Sequence, residues 1–484
     1  MKSVWTESYN IKKRESLDRD IEAEVVVIGA GITGLLTAYM LKDKGLKVVV
    51  IEKGRILEGN TLNTTAKITI QHDLIYDKLI KEYKEENAKK YVKANTIAIE
   101  KYKEIINKNN IDCDFEEADA YIYTLDDIVK IENEYEAAKK LEIDAELVDE
   151  IELPFEVAKA LKFKKQGQFN PIKFLNYIAK DLTIYENTKA IDIKNNIVVT
   201  EKGNIKAKNI VVATQFPIIN TPGYYFLRMH QDRSYVVAFE NAQNIKGMYI
   251  DENKDGYSFR SYNSLLLVGG ASGRTGSNEK GGSYENVIEF TKSLYPNAIE
   301  KYRWSAQDCM TSDGIPYIGE YSNSDEMKNV YVATGFNKWG MTSAMIASLI
   351  ITDKITKTFN DYYEIFSPER YDITASIKNT LIDVGYTTYN FIAQRIRIPM
   401  EAVEDISNGS GGIVNYNGEN VGVYKDDKGE IYTVSTKCPH LGCELKWDAN
   451  DLAWDCPCHG SRFDYKGNLL NSPSTKELRC EEDI

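Results

Sequence analysis

The sequence has too little positive charge for a protein that binds nucleic acid or an anionic membrane. Its 484 residues include 60 Lys and Arg against 73 Asp and Glu, a formal net charge of -13, whereas such partners require a basic surface. Hydrophobic residues make up 43% of the chain, which is ordinary for a globular protein. The length allows two or three domains with a large buried core.

Long apolar runs are missing as well. The first 20 residues are polar and contain no apolar segment of the signal-peptide type. The most hydrophobic stretch, residues 25–41, is interrupted by three glycines, which favours a strand, a turn and a helix over a membrane span. We therefore predict a cytoplasmic protein without a transmembrane segment.

Histidine and cysteine are scarce, yet they are concentrated near the C-terminus. Of four histidines and seven cysteines, two and four respectively lie in the stretches CPHLGC and CPCHGS. The first stretch contains Cys438 and His440, and the second contains Cys456 and His459. Two cysteines and two histidines could hold zinc tetrahedrally. Zinc fingers, however, usually group the cysteines and the histidines separately, whereas each stretch here supplies one of each.

These residues resemble the Rieske [2Fe-2S] family, in which two cysteines hold one iron and two histidines hold the other. The resemblance covers residues 399–484. It implies that the cysteines of the two stretches bind one iron and the histidines the second. The implied ligands are Cys438, Cys456, His440 and His459.

Two further cysteines refine the resemblance. Cys443 and Cys458 occupy positions that, in Rieske proteins of the cytochrome-bc type, form a disulfide between the cluster loops. Rieske oxygenases commonly lack this pair, so the domain resembles an electron carrier. Ser461 matches a position whose hydroxyl donates to a bridging sulfide, whereas Phe463 replaces a tyrosine that donates to a cysteine sulfur. We therefore expect a reduction potential in the middle of the family range.

A dinucleotide fingerprint lies near the N-terminus. Gly29, Gly31 and Gly34 follow a β-branched strand and open a helix. This arrangement supplies a tight turn, a close backbone approach to a pyrophosphate and a helix N-terminus that favours negative charge. Glu52 ends the second strand, where a carboxylate accepts hydrogen bonds from ribose hydroxyls. The pattern predicts a nucleotide-binding α/β domain.

Later segments favour FAD over NAD as the nucleotide. Residues 208–214 resemble the returning strand of glutathione-reductase-type flavoproteins, and residues 329–345 resemble their C-terminal flavin motif. Such a motif places a helix N-terminus beside the reduced isoalloxazine. No second glycine fingerprint follows a mid-chain strand in the sequence, so we expect no separate NAD(P)H domain.

Residues 21–355 thus resemble the D-amino-acid oxidase family of FAD oxidoreductases, which includes glycine and sarcosine oxidases. The implied fold class is α/β plus β. It combines a glutathione-reductase-like Rossmann FAD domain, an interleaved antiparallel-sheet substrate domain and a small all-β Rieske domain. The expected units are an N-terminal extension (1–20), the FAD domain (21–355) with substrate-domain insertions near 100–160 and 225–320, a helical linker (356–398) and the Rieske domain (399–484).

The resemblance also implies which residues contact FAD. Residues 59–67 match the flavin-contacting loop of the family in position. In covalent relatives the attaching cysteine aligns with Ala306, so we predict non-covalent FAD. The expected contacts are Gly29, Gly31, Gly34, Glu52, Lys53, Thr64, Thr65, Ala66, Gly335, Asn337, Trp339, Gly340, Met341 and Thr342, of which Asn337, Trp339 and Thr342 could equally serve core packing.

Three side chains are candidates for the chemistry. Amino-acid-oxidising relatives often carry an arginine, which grips the substrate carboxylate, where this chain has Asp308. A carboxylate there suits a cationic or carboxylate-free amine, although a surface aspartate is an alternative. His72 follows the flavin loop and could face the isoalloxazine, or be an ordinary hydrogen-bonded histidine. Lys67 could stabilise reduced flavin, or be an exposed lysine.

The favoured interpretation is an FAD-dependent dehydrogenase that acts on the C–N bond of a small amine. It would pass electrons singly through the Rieske cluster to an external redox protein or quinone-like acceptor. The fusion motivates this interpretation, because an oxidase that reduces O2 directly has no use for a relay. The alternative is a non-catalytic flavin and Rieske adaptor between a reductase and a partner protein. An oxygenase is disfavoured by the disulfide pair and by the two remaining histidines.

Overall fold

The computed structural model describes residues 2–278, 281–370, 386–387, 403–416 and 418–480. Most of the predicted helical linker, 356–398, lies outside these residues. Within them, no helix combines the length and the apolar character that crossing a bilayer requires.

Helices and strands alternate up to residue 366, and from residue 410 to 471 the regular elements are all strands. The helices are α1 (Ile32–Asp43), α2 (Ile75–Asn109), α3 (Ile128–Lys140), α4 (Pro171–Ile178), α5 (Ser283–Leu294), α6 (Gly340–Thr356) and α7 (Tyr363–Phe366). The first strands are β1 (Ile21–Ile28), β2 (Val48–Ile51), β3 (Lys67–Ile68), β4 (Glu116–Thr124), β5 (Ala145–Val148), β6 (Lys159–Gln168), β7 (Thr183–Tyr185), β8 (Ala190–Lys194), β9 (Ile197–Thr200), β10 (Asn204–Val212), β11 (Met229–Glu240) and β12 (Met248–Asp251). The later strands are β13 (Ser258–Tyr262), β14 (Leu265–Arg274), β15 (Ile299–Thr311), β16 (Tyr317–Glu320), β17 (Val330–Thr334), β18 (Ser410–Tyr416), β19 (Glu419–Lys425), β20 (Ile431–Ser435), β21 (Lys446–Asp448), β22 (Ala453–Asp455), β23 (Arg462–Asp464) and β24 (Leu469–Asn471).

The first sheet is mostly parallel and has the order β16-β17-β10-β1-β2-β7, with β9 and β8 added beside β10. Its central strands are continuous apolar runs, and residues 25–28 and 48–51 are all buried. Such runs are typical of a parallel sheet that is covered on both faces. Helices α1 and α6 pack together beside it, where the Thr37 hydroxyl donates to Ser348 Oγ at 3.1 Å.

The second sheet has the order β15-β11-β14-β13-β12-β4-β6-β3, with β5 beside β6. Most of its strands come from two separate segments, 116–168 and 229–311. At one edge, β11 pairs antiparallel with β14 and with β15. Because side chains alternate between the two faces of a strand, each face of this edge of the sheet can contact a different part of the protein.

The C-terminal residues form two small antiparallel sheets, β18-β19-β20 and β21-β22-β23-β24. Their shared core contains Val434, Trp454 and Phe463, all with no exposed surface. With the parallel sheet and the large second sheet, this unit confirms the predicted α/β plus β class.

Part of the N-terminal extension, residues 2–20, packs on the N-terminal domain. Trp5 is fully buried, and its indole N–H donates to the carbonyl of Thr64 at 2.6 Å. Its ring lies 4.7 Å from that of Tyr262. The extension that looks merely polar in sequence therefore supports the loop predicted to contact the flavin.

A buried ion network joins the C-terminal domain to the second sheet. Arg462 Nε donates to Asp455 Oδ1 at 2.6 Å, and Nη2 donates to Asp448 at 3.1 Å and Asp451 at 3.0 Å. Asp451 also pairs with Arg233 of β11. All these side chains are at most 11% exposed. Burial makes the pairing necessary, because each charge has lost its hydration.

Replacing Arg462 with Leu should destabilise the protein by roughly 3–5 kcal/mol, because three buried carboxylates lose their shared partner. Thermal and urea unfolding followed by absorbance of the C-terminal cofactor would measure the loss. Arg303→Leu is the control, since Arg303 pairs with Glu300 at a site where both side chains are about 30% exposed, and it should cost only about 0.2–1 kcal/mol. Equal losses in the two variants would contradict the prediction.

Candidate active site and metal centre

One cavity of about 1090 Å³ extends from the glycine turn after β1 to the face of the second sheet. This volume is at the upper end for a site that encloses a small-molecule ligand or cofactor. Gly29, Gly31 and Glu52 line one end, and the wall at the sheet includes Asp232 and Asp308.

The glycine turn is built for close backbone approach. Gly29 has a φ of +105°, and a Cβ there would lie 2.6 Å from the carbonyl oxygen of Ala213. A Cβ on Gly34 would lie 1.9 Å from the carbonyl oxygen of Gly29. Only glycine fits both positions, so the first turn of α1 can lie against the end of β1. The turn presents the N-terminus of α1 to the cavity, where it favours a phosphate group.

Glu52 is held in place by the backbone at the end of β2. Its carboxylate accepts hydrogen bonds from the N–H of Ala30 at 2.9 Å and of Gly54 at 3.1 Å. The side chain therefore lies between the glycine turn and the next loop, on the cavity wall. This is the position from which a carboxylate reaches the ribose of a dinucleotide.

Most of the predicted FAD contacts line this cavity. The lining ones are Gly29, Gly31, Glu52, Lys53, Thr64, Thr65, Gly335, Asn337, Trp339, Gly340 and Met341. Gly34, Ala66 and Thr342 are not part of the lining and lie behind it. Thr342 Oγ1 accepts from the N–H of Thr69 at 3.1 Å and donates to its carbonyl at 2.8 Å, so it ties α6 to the flavin loop.

His72 and Lys67 lie on the same part of the cavity wall. His72 stacks on Trp339 with ring centroids 4.8 Å apart, and its Nδ1 bonds the hydroxyl of Tyr91 at 2.7 Å. Burial lowers the pKa of His72 to about 3, so its imidazole is neutral. Burial, together with Arg260, lowers the pKa of Lys67 to about 7. Lys67 is thus not an ordinary exposed lysine.

The wall at the second sheet is acidic. Asp308 of β15 stands opposite Asp232 of β11 in the strand register, and both line the cavity. Asp232 Oδ1 lies 3.4 Å from Nε2 of His230, which also lines it. Burial, helped by the charge of Asp232, raises the pKa of Asp308 to about 6 against the opposing effect of Lys338. Asp308 is therefore ionised at neutral pH.

The structure places the two predicted cysteine ligands beside each other and the two predicted histidine ligands beside each other. A hydrogen bond between the thiols of Cys438 and Cys456 lowers the pKa of Cys438. The rings of His440 and His459 lie 5.0 Å apart. Both nitrogens of His440 and Nδ1 of His459 are buried and have no hydrogen-bond partner among the residues that the structure describes. Buried polar atoms are normally paired, so these nitrogens indicate metal ligation.

The protonation states of His440 and His459 are those that binding to a metal requires. Burial lowers the pKa of His440 to about 4 and that of His459 to about 3. Both imidazoles are therefore neutral at physiological pH and keep a lone pair for iron. Phe226 of the N-terminal domain lies edge-on to both rings, at 5.3 and 5.4 Å. The two predicted histidine ligands therefore contact the flavin domain.

A disulfide joins Cys443 to Cys458, with an S–S distance of 2.06 Å. The sulfur of Cys456 lies within 4.8 Å of both disulfide sulfurs, but these are already bonded to each other. Cys438 and Cys456 are free thiols and stay the predicted sulfur ligands.

Two family models match the chain. The description "FAD dependent oxidoreductase" (DAO) matches residues 24–354, and "Rieske [2Fe-2S] domain" matches residues 397–482. The chain belongs to the DAO family of FAD-dependent oxidoreductases. The cavity and the donor set of this DAO-family protein fit the two cofactors that the family models name, FAD and a [2Fe-2S] cluster. When bound, these supply hydride acceptance and one-electron transfer.

Relatives share either the whole organisation or the flavin domain. YhfW of Bacillus subtilis (strain 168), whose name describes a Rieske 2Fe-2S iron-sulfur protein, is 36% identical over 99% of this chain and 97% of its own length. Gamma-glutamylputrescine oxidoreductase of Escherichia coli (strain K12) is 22% identical and covers 80% of this chain and 92% of its own. The structure of L-proline dehydrogenase from P. horikoshii matches with a TM-score of 0.61 and 21% identity, over 73% of this chain and 99% of that one.

Sequence reasoning missed how this DAO-family protein closes its cavity. Residues 469–472 and 474–475 of the Rieske domain line it. Lys53 Nζ donates to the carbonyl of Leu470 at 3.1 Å, and Lys189 Nζ donates to that of Thr475 at 3.0 Å. Asp232 was missed too, because its place opposite Asp308 depends on the strand register, for which the sequence has no local signal.

FAD should be released when the protein is denatured in acid, because the position of the attaching cysteine is Ala306 and the thiol of Cys309, which also lines the cavity, is unreactive. Ala306 lines the cavity at the position that aligns with the attaching cysteine. The nearby Cys309 thiol is directed to the carbonyl of Gln215 at 3.6 Å, and burial raises its pKa, so it is a poor nucleophile. Flavin absorbance in the supernatant measures release, and Cys309→Ser should release the same amount. Flavin that stays with the wild-type precipitate would contradict the prediction.

Proposed function

We propose that this protein is an FAD-dependent dehydrogenase that oxidises the C–N bond of a small cationic amine. Its electrons would pass singly through the Rieske cluster to an external one-electron acceptor, a redox protein or a quinone. One observation carries the proposal. Strands β11 and β15 line the cavity and also bind the Rieske domain through side-chain hydrogen bonds, so the same two strands contact both sites.

Strand β11 shows how one strand contacts both sites. Along β11, His230, Asp232 and Ser234 line the cavity together with Gln231, and the side chains of Gln231 and Arg233 bond residues of the Rieske domain. Because the side-chain period of a strand is two residues, one strand can serve both sites without any further element.

The acidic wall supports a cationic substrate. The carboxylates of Asp308 and Asp232 would attract an ammonium group and orient the carbon beside it toward the flavin end of the cavity. A partly charged Lys67 would stabilise negative charge on the reduced cofactor. The names of two relatives, gamma-glutamylputrescine oxidoreductase and L-proline dehydrogenase, refer to compounds with an oxidisable C–N bond. Oxidation of such a bond removes two electrons and yields an imine, which water hydrolyses.

The fusion of a flavin domain with a Rieske domain suits a reaction that removes two electrons from the substrate and passes them on one at a time. Two electrons leave the substrate together as a hydride equivalent, whereas a [2Fe-2S] cluster accepts one at a time. The acceptor must therefore remove the first electron before the cluster can take the second, and the protons are released to solvent. The cytoplasmic location expected from the sequence stays a prediction.

An anaerobic panel of amines and matched amino acids tests the proposal. We expect an amine to bleach the flavin absorbance and to produce the electron paramagnetic resonance (EPR) signal of the reduced cluster in the same sample. Bleaching without that signal would refute the route through the cluster. If no small molecule bleaches the flavin but a partner reductase does, the protein is an electron-transfer adaptor and not an enzyme.

A further inference from the structure

Two buried glutamines contact the Rieske domain from strands β11 and β15, and one of them, Gln231, also lines the cavity. Gln231 of β11 is 2% exposed and Gln307 of β15 is 1% exposed. Gln307 Nε2 donates to Oε1 of Gln231 at 2.6 Å. Burying two amides is costly unless both are hydrogen-bonded, so their further partners indicate what the pair does.

Those partners belong to the Rieske domain, and two of them lie in its second ligand loop, residues 456–461. Gln231 Nε2 donates to the carbonyl of His459 at 2.8 Å and to that of Ser472 at 2.8 Å. Gln307 Nε2 donates to the carbonyl of Gly460 at 2.7 Å. The pair therefore binds a predicted iron ligand and the residue after it through their main chain.

The backbone of the second ligand loop also packs closely against β11. Gly460 has a φ of +82°, and a Cβ there would lie 2.7 Å from Cβ of Gln231. The loop can therefore approach the strand only because this residue is glycine. Farther along, Cα of Pro457 would lie 2.8 Å from a Cβ on Gly276. The second ligand loop is thus seated directly on the sheet.

The other ligand loop, residues 438–443, is the more exposed of the two, although the ring of His440 also lies 5.3 Å from that of Phe226 in the flavin domain. Leu441, next to His440, is 51% exposed, whereas His459 is only 5% exposed. Of the two ligand loops, Gln231 and Gln307 donate hydrogen bonds only to the second, which we call the inner ligand loop.

The same strands carry the pair and the cavity wall. Gln231 precedes Asp232 and Gln307 precedes Asp308, and both aspartates line the cavity. The path from Asp232 to the carbonyl of His459 therefore consists of one peptide bond, to Gln231, and one hydrogen bond from the Gln231 side chain. The carbonyl of Gln307 also accepts from the side chain of Asn60, which lines the cavity.

We propose that Gln231 and Gln307 are paired positioning residues that fix the inner ligand loop to the cavity wall and couple the cluster to the flavin. Their amide donors withdraw electron density from the peptide of a cluster ligand, and hydrogen bonds around a metal site tune its potential. For each transfer, reduced FAD would lose one electron and one ferric iron would become ferrous. The direction of this flow rests on the proposed function, whereas the tuning of the cluster does not.

The test uses Gln231→Met and Gln307→Met in the full-length holoprotein, since methionine keeps the length of the side chain and removes the donors. The control is Gln166→Met. Gln166 is also buried, at 3% exposure, but it bonds only the backbone of Ile70 and Lys164 in the flavin domain. The measurements are the cluster EPR spectrum, its midpoint potential and the rate of cluster reduction after photoreduction of FAD.

We expect both glutamine variants to shift the g-values and lower the potential, while Gln166→Met changes neither. Displacing the loop should slow cluster reduction severalfold, because the rate of electron transfer falls as the distance between the two cofactors grows. The double variant should be little worse than either single variant, since the pair acts as a unit. If Gln231→Met fails to assemble a cluster, Gln307→Met leaves His459 bonded and gives the same readouts.

Unchanged spectra, potential and rate in both variants would overturn the proposal, as would equal changes in Gln166→Met. If photoreduced flavin in the wild-type protein never reduces the cluster, the proposed function fails. Shifted spectra in the glutamine variants would then still support the positioning role, so the two failures are distinguishable.

Discussion

Replacing His459 with alanine should abolish the Rieske EPR signal and leave FAD bound. The prediction rests on the Nδ1 of His459, which is buried without a hydrogen-bond partner in the described part of the chain, and on the neutral state that burial imposes on its ring. With one histidine lost, one iron would keep a single protein ligand from that pair, and the cluster would not persist.

FAD should stay bound because His459 is not among the residues that line the cavity. The measurements are the EPR spectrum of the dithionite-reduced protein, its iron content, and the flavin released by acid. His230→Ala is the matched control, since it removes a histidine outside the donor set and should leave the iron signal intact. Zinc in place of iron in the wild-type protein would refute the ligand assignment altogether.

Replacing Asp308 with asparagine should weaken the preference for a cationic amine over its amino-acid counterpart, and Asp308→Arg should reverse it. Asp308 lines the cavity opposite Asp232, and burial raises its pKa to about 6. Two opposite charges about 4 Å apart interact by roughly 4 kcal/mol at an effective dielectric near 20. If about 2 kcal/mol of this energy distinguishes the two substrates, losing it changes the ratio of their kcat/KM values about 30-fold.

Asp255→Asn is the control for Asp308, because Asp255 also lines the cavity but is exposed to solvent. An exposed charge is screened and should change the ratio of kcat/KM values only slightly. A general effect of net charge would alter both variants equally. A wild-type protein that already prefers the amino acid, or an unchanged ratio in both Asp308 variants, would show that Asp308 has no role in selectivity.

The preference should also depend on pH. The carboxylate of Asp308 is charged above its pKa of about 6 and neutral below it. The advantage of the cationic substrate is therefore present above pH 6 and is lost as the pH falls through that value. In Asp308→Asn, the ratio of kcat/KM values for the two substrates should not change over this range.

The cofactors of this protein were predictable because each requires a local motif. A pyrophosphate turn needs glycines at set intervals, and the sequence around Gly29 and Gly34 shows them before any contact is known. The cluster needs soft and borderline ligands in two short loops, and the stretches around Cys438 and His459 predict these loops by their resemblance to the Rieske family. The fold class followed from the same motifs, since each belongs to one kind of domain.

Only the tertiary structure decided how the two sites are joined. The pairing of Asp308 with Asp232 depends on the register of two strands that are far apart in the chain. The contact of Gln231 with His459 depends on which face of that sheet the Rieske domain covers. Neither has a local sequence signal, because register and docking are set by the summed packing of many residues from distant segments.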